Sequence, residues 1–513
     1  MNRRLTRMAN AVLQPGFVGT TPPEWVRRQI ADGLGGVTLY ARNIVDPAQI
    51  TALTAAIAAE SPDVIVAIDE EAGDVTRLEA HTGSSRPGNL ALGAADDPEL
   101  TTAVARHLGL ELATLGITLD FAPDADVNSD PDNPVIGVRA FGSDPELVAR
   151  HTAAWIRGLQ STGVAACAKH FPGHGDTAID SHDDVPVITA ERAALDACEL
   201  LPFRSAIAAG VKSVMTGHLI VPAIDPDRPA TLSRAILTDL LRTELGFDGL
   251  IVTDAIEMQA VARRYGLAGA TVAAITAGAD AVCVGGEHAD EAIAIELRDA
   301  IVAAVEDGTL PEERLADAAA RVAALAKWST AQRRQIRTHA NGTGHPGLVA
   351  ARRALHVRAG SAVPPWPLTV PAYVIELSPN VTMAIAPDTP WGVLAPLTEL
   401  MPGTEGTRVV APAFDGDPAI SASMDAGIRA AAGRPLVLAV RDAHRHRWMS
   451  SALATAIAAR PDAIVVEMGV PAGQLGAHQI STYGASTACG IAAAELLAGT
   501  VHAGVRTEPL LTA

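Results

Sequence analysis

The chain has 513 residues, 48% hydrophobic and 19% charged, the balance of a globular protein with sizeable cores rather than a disordered one. Its 39 basic and 58 acidic side chains leave a net charge of −19, which excludes nucleic acid or an anionic membrane as the main partner. Two domains are expected at this length, one of them large. The four scattered cysteines, Cys167, Cys198, Cys283 and Cys489, form no CxxC pair and are expected as buried thiols in a reducing compartment. No apolar stretch of signal-peptide length follows the basic start and no run approaches a membrane span, so a cytoplasmic location is expected.

In chain order, eight short apolar runs punctuate the first 330 residues: Ala11–Phe17, Val37–Ala41, Val64–Asp69, Ile117–Pro123, Ala165–His170, Ser213–His218, Leu250–Asp254 and Ala281–Gly285. Most are nearly continuous hydrophobics, as strands buried on both faces should be. Helical stretches such as Ala190–Ala209 and Ser233–Leu245 separate them. Periodicity alone also permits an open doubly wound sheet, but eight strand–helix units favour a (β/α)8 TIM-like barrel over residues 1–330. A polar stretch over 331–347 reads as a linker. Beyond it, Tyr373–Leu377, Arg408–Pro412, Leu436–Arg441 and Ile464–Met468 are strand candidates, with helices at Met449–Ala459 and Ala488–Ala498. Residues 348–513 are therefore expected as a smaller α/β sandwich domain.

Charged residues recur where the strands of the first domain end. The third run ends in Asp69-Glu70-Glu71, the fourth leads to Asp120 and Asp124, and the fifth ends in Lys169-His170. The sixth ends in His218 and the seventh in Asp254. Any one of these could cap a helix; their recurrence at one edge is what a barrel active site requires. The loop from Lys169 to His182 is the richest, with three histidines, two aspartates and two glycines after the lysine. Those groups suit acid–base work near neutral pH.

These residues carry a resemblance. Lys169-His170-Phe-Pro-Gly-His-Gly with Asp180-Ser-His182 resembles the signature loop of glycoside hydrolase family 3, in its β-N-acetylglucosaminidase branch. Asp120-Phe-Ala-Pro, Asp126-Val-Asn, the segment Asn133–Gly142, and Gly246-Phe-Asp-Gly-Leu-Ile-Val-Thr-Asp254 are similar to further motifs of that family in the same order, and Thr482–Ser486 is similar to a piece of its second domain. The resemblance implies a retaining mechanism with Asp254 as nucleophile, His182 as general acid and base, and Asp180 orienting His182. It implies Lys169 and His170 as hydroxyl binders, with Asp69, Arg77, Asp124 and Arg139 completing the sugar pocket; His218, at the end of the sixth run, is a further expected substrate-binding residue. Ala72 and Asp74 stand where the family usually has glycine and a basic residue, which bears on substrate choice.

The expected activity is release of terminal N-acetylglucosamine from muropeptide-type or chitooligosaccharide substrates. A histidine base does not repel an anionic acceptor, so phosphorolysis with inorganic phosphate is an alternative, as is a mixed-specificity β-glucosidase. A sugar-binding protein without catalysis is the reading from another class; retention of Asp180, His182 and Asp254 argues against it. In the second domain, Asp442, His444 and His446 read as a cap and a solvated helix start. No nucleotide loop, HExxH or zinc spacing occurs, so no metal and no organic cofactor are expected, and homodimerisation is left open.

Overall fold

The structure is a computed structural model, and it describes residues 2–177, 185–286, 288–335, 345–360, 365–382, 384–414 and 416–500. The chain forms two compact units that are not contiguous in sequence. The first comprises residues 1–71, 101–136 and 143–341; the second comprises 72–100, 137–142 and 342–513. A division at a 331–347 linker thus misses two segments that fold with the second unit. Residues 331–335 also continue the helix Glu312–Gln335, and 336–344 lie outside the described residues. No described helix is long and apolar enough to cross a membrane.

The first unit is α/β with parallel strands. All eight expected strands form: β1 (Leu13–Pro15), β2 (Gly36–Leu39), β3 (Ile65–Ile68), β4 (Leu119–Asp120), β5 (Ala165–Phe171), β6 (Ser213–Thr216), β7 (Leu250–Thr253) and β8 (Val282–Val284). β2 to β7 pair in sequence order as one parallel sheet, and β1 pairs with β8. Each of these strands is buried along its length, which is why they read as unbroken apolar runs. Alternate residues, among them Ile65, Ala67, Leu119, Phe121, Ala165, Cys167, Met215, Leu250 and Val252, form a core with Val322 and Leu325 of the helix Glu312–Gln335. Helix starts are set locally: Asp46 and Asp144 accept N–H bonds from Gln49 and Glu146, each with proline at the next position.

Two helices differ from expectation. Ala190–Ala209 breaks at Cys198 into Arg192–Ala197 and Leu200–Ala208, with Glu199 starting the second piece. Ala235–Glu244 is wound as a π-helix, a form frequent near functional sites.

The second unit is a six-stranded sheet. Its strands are β9 (His356–Arg358), β10 (Tyr373–Ser378), β11 (Glu405–Val410), β12 (Leu436–Val440), β13 (Ile464–Glu467) and β14 (His478–Ser481), in the order β11-β10-β12-β13-β14-β9. All pairs are parallel except β14 with β9. Separate apolar clusters cover the sheet. One draws on the helices Pro346–Ala354 and Thr487–Ala498, the other on Pro418–Ala430 and Arg447–Ala459.

Candidate active site

The chemistry of the first unit collects at the carboxyl ends of β3 to β7. Asp69, Glu70 and Glu71 follow β3, Asp124 and Asp126 follow β4, Lys169 and His170 lie in β5, His218 follows β6, and Asp254 follows β7. In a parallel α/β unit this edge carries the loops free to vary without disturbing the core.

Lys169 is the hub. Its side chain is 2% exposed, and its Nζ meets an Asp69 oxygen and Glu71 Oε1 (2.7 Å). A buried ammonium needs compensation, and two carboxylates provide it. Asp69, 29% exposed against 3% for Glu71, is the member that reaches solvent. Asp120 supports the turn beneath: its Oδ1 accepts the Glu70 N–H (2.9 Å). Burial pushes its carboxyl well above the usual range, against that hydrogen bond.

His170 is oriented by Asp126. The His170 ring Nδ1 lies 2.7 Å from Asp126 Oδ2, and Asp126 Oδ1 accepts the backbone N–H of His170 (3.1 Å) and of His174 (2.8 Å). Burial alone would raise Asp126, but the His170 ring outweighs it and holds the carboxyl below its ordinary value. An ionised Asp126 fixes the imidazole proton on Nδ1. Asp124 is fully buried and its Oδ1 accepts the Asp126 N–H (2.9 Å). It shapes this turn, where a pocket-lining carboxylate had been expected. Asp124, Asp126 and His170 also form the one described group with metal-ligand proximity; the bonds that Asp126 makes to the ring and to two N–H groups already account for its position.

The loop after β5 is tied down at its start. Asn133 Nδ2 donates to the carbonyls of His174 (2.9 Å) and Gly175 (3.2 Å), while Asn133 Oδ1 accepts from Val135 and Ile136. Gly175 runs so close to Val127 that a Cβ there would lie 1.6 Å from the Val127 carbonyl oxygen. Asp180 and His182 lie outside the described residues.

Asp254 is partly exposed, and its Oδ1 accepts the Ala255 N–H (2.7 Å). His218, expected to touch substrate, is instead fully buried with both ring nitrogens engaged by the protein. Its Nε2 lies 3.0 Å from the Ala255 carbonyl, which can only accept, so Nε2 carries a proton, and its Nδ1 lies 2.8 Å from the Thr231 hydroxyl. His218 thus holds the residue after Asp254. Glu257 completes the turn, its Oε1 accepting from Gly285 (2.8 Å) and Gly286 (2.6 Å). The Cys283 thiol is pushed up first by burial and then by the charges of Glu257, Asp254 and Asp69.

Arg77 and Arg139 are carried by the second unit. There Arg77 Nη1 donates to the Ala384 carbonyl (2.8 Å), and the Arg139 carbonyl accepts from Asn89 (2.7 Å). Glu71 and Asp126 are the site residues that sequence reasoning passed over. Both stood inside quoted motifs, but a motif does not say which acid meets the lysine and which the histidine.

The chain is similar to known proteins in sequence and in fold. Residues 14–325 match the glycosyl hydrolase family 3 N terminal domain. A β-hexosaminidase A of Pseudoalteromonas piscicida is 36% identical over 334 residues, covering 60% of this chain, which spans 55% of that protein's length. A β-hexosaminidase of Nitrosomonas eutropha is 41% identical over 259 residues, covering 49% of this chain and 73% of its own. The solved structure of a family 3 β-N-acetylglucosaminidase from Paenibacillus sp. superposes with a TM-score of 0.86 at 32% identity, covering 98% of this chain and 97% of that one.

Proposed function

Since the chain belongs to glycosyl hydrolase family 3, we propose that it is a retaining exo-β-N-acetylglucosaminidase acting on muropeptide-type or chitooligosaccharide ends. The observation that carries the reading is the polar wall at one strand edge: Lys169 between Asp69 and Glu71, His170 set by Asp126, and Asp254 on the turn held by His218 and Glu257. A wall of buried, directional donors and acceptors recognises sugar hydroxyls and rejects analogues that lack them. Asp69 accepts a hydrogen bond from a sugar hydroxyl, Lys169 donates one, and Asp126 orients the His170 ring toward the sugar.

Asp254 attacks the anomeric carbon as the bond to the leaving oxygen breaks and His182 protonates that oxygen. Water then adds to the glycosyl-aspartate, giving its proton to His182 and restoring Asp254. Asp180 orients His182 and stabilises its charged form. Supporting a closed (β/α)8 barrel for the first unit, a parallel bridge joins Val252 to Ala281 between β7 and β8, β1 pairs with β8, and the Thr38 hydroxyl of β2 donates to the Gln14 carbonyl of β1.

The test is hydrolysis of an aryl N-acetyl-β-glucosaminide by the wild type and by Asp254→Asn. The variant should lose activity on the order of 10⁴-fold, and hydrolysis surviving it excludes the assigned nucleophile. Running the assay with inorganic phosphate tests that acceptor: a sugar 1-phosphate product would make the protein a phosphorylase.

A further inference from the structure

The second unit contains a cavity of about 180 Å³ whose described walls come entirely from that unit. It lies outside the carboxyl ends of β10, β11 and β12, bordered by Ser378, Val410 and Arg441. The chain runs from β10 to β11 on one side and then crosses to β12 on the other. Strand order therefore reverses at β10, and this is where open parallel sheets leave a crevice able to take a ligand.

The lining specifies the ligand. Asp74 and Arg441 are the only ionisable groups among the described wall residues. They form an ion pair of 2.5 Å with both side chains buried, 2% and 8% exposed. The pair cancels, so the cavity suits a neutral molecule. Asp74 Oδ1 also accepts the Ala485 N–H (2.8 Å), while Oδ2 meets the guanidinium without hydrogen-bond geometry. Hydroxyl and amide groups of Ser378, Asn380 and Thr389 share the wall, and the Thr389 hydroxyl is buried without a hydrogen bond. An aromatic side chain, Trp391, also lines the cavity. Arg408, outside the cavity wall, covers the indole (5.2 Å), donates to the Trp391 carbonyl (2.8 Å) and is itself held by Glu376 (2.6 Å). An indole held by Arg408, sharing a cavity wall with a carboxylate–guanidinium pair and hydroxyls, matches a pyranose, whose C–H face stacks on an aromatic ring while its edge bonds to polar groups. The volume equals about six waters at ~30 Å³ each, room for a single ring.

We propose that this cavity is a second, non-catalytic site that binds one neutral monosaccharide, N-acetylglucosamine in the first instance. The choice of sugar rests on the glycosidase reading above, since that sugar would be the enzyme's own product.

Calorimetric titration of the full chain with N-acetylglucosamine tests it, with glucose as a second probe and aryl-glycoside hydrolysis measured on the same samples. The wild type should bind two molecules per chain. Lys169→Ala should remove one event by dismantling the strand-end wall of the first unit. Trp391→Ala should remove the other, raising its Kd by about tenfold or more, with hydrolysis intact. Asn380→Ala, at an exposed wall position, should weaken the same event and cannot act by unfolding the unit. A single event abolished by Lys169→Ala and unchanged in both Trp391→Ala and Asn380→Ala overturns the second site, even if hydrolysis is normal. Absence of hydrolysis overturns the functional reading instead, and binding sensitive to Trp391→Ala would then still support the site.

Discussion

Glu199 offers a quantitative check on the ground beneath the catalytic loop. It starts the helix Leu200–Ala208 and is 3% exposed. Its Oε1 accepts the Cys198 thiol (3.4 Å), and its Oε2 is buried without a hydrogen bond. The carboxyl presses against the loop backbone: a Cβ on Gly173 would lie 2.5 Å from Oε2. Burial first, then the charges of Asp126 and Asp176, raise its pKa from 4.5 to about 8. The folded state therefore holds a proton that the unfolded chain releases above pH 4.5. Stability from this group is complete below pH 4.5, falls as pH rises through the window, and levels off above about 8. At 1.36 kcal/mol per pH unit, the span from 4.5 to about 8 makes about 5 kcal/mol, of which about 3 kcal/mol is lost by pH 7. Glu199→Gln keeps the shape and removes the charge. It should match the wild type at pH 4.5 and exceed it at pH 7, by about 6 °C in Tm if each kcal/mol moves Tm by about 2 °C. Scanning calorimetry of both proteins at pH 4.5, 7 and 8.5 measures this. A gap between them that stays constant across the three pH values refutes the reasoning.

Glu467 gives the opposite expectation. Its carboxyl accepts N–H bonds from Asp442 (2.9 Å), Gly469 (2.7 Å) and Ala443 (3.3 Å), so Glu467→Gln turns an amide donor toward N–H donors and should cost about 1–3 kcal/mol by urea unfolding. Asp280 is buried, accepts the Ile251 N–H (2.8 Å), and is ion-paired with Arg242 and Arg314. Asp280→Ala leaves Arg242 with only the Phe247 and Gly249 carbonyls and Arg314 with Asp317 as its remaining carboxylate, and should lower stability by about 3 kcal/mol in the same assay. Gly175→Ala forces the loop off Val127 and should lower kcat/KM on the order of a hundredfold with little change in Tm; a variant of wild-type activity would show that the close approach does not position the loop.

The eight strands of the first unit were legible because strands buried on both faces leave unbroken apolar runs, as in Ile65–Ile68 and Leu250–Thr253. Their ends were legible too, because charge directly after such a run must lie at the strand edge, as at Asp69, Lys169 and Asp254. In the second unit, β9 and β14 escaped notice: His356–Arg358 and His478–Ser481 are short and carry few apolar residues, so only their pairing identifies them as strands. The sequence by itself determined which segments of the first unit become strands and which charged runs lie at their ends, since both follow from local hydrophobicity and motif order. Tertiary structure alone decided how those side chains are used. His218 is sealed because Thr231 folds back onto its ring. Asp126 rather than Asp124 takes His170, and residues 72–100 and 137–142 fold with the second unit. Each of these depends on partners distant in the chain, and a partner that only folding brings near leaves no mark on the local pattern.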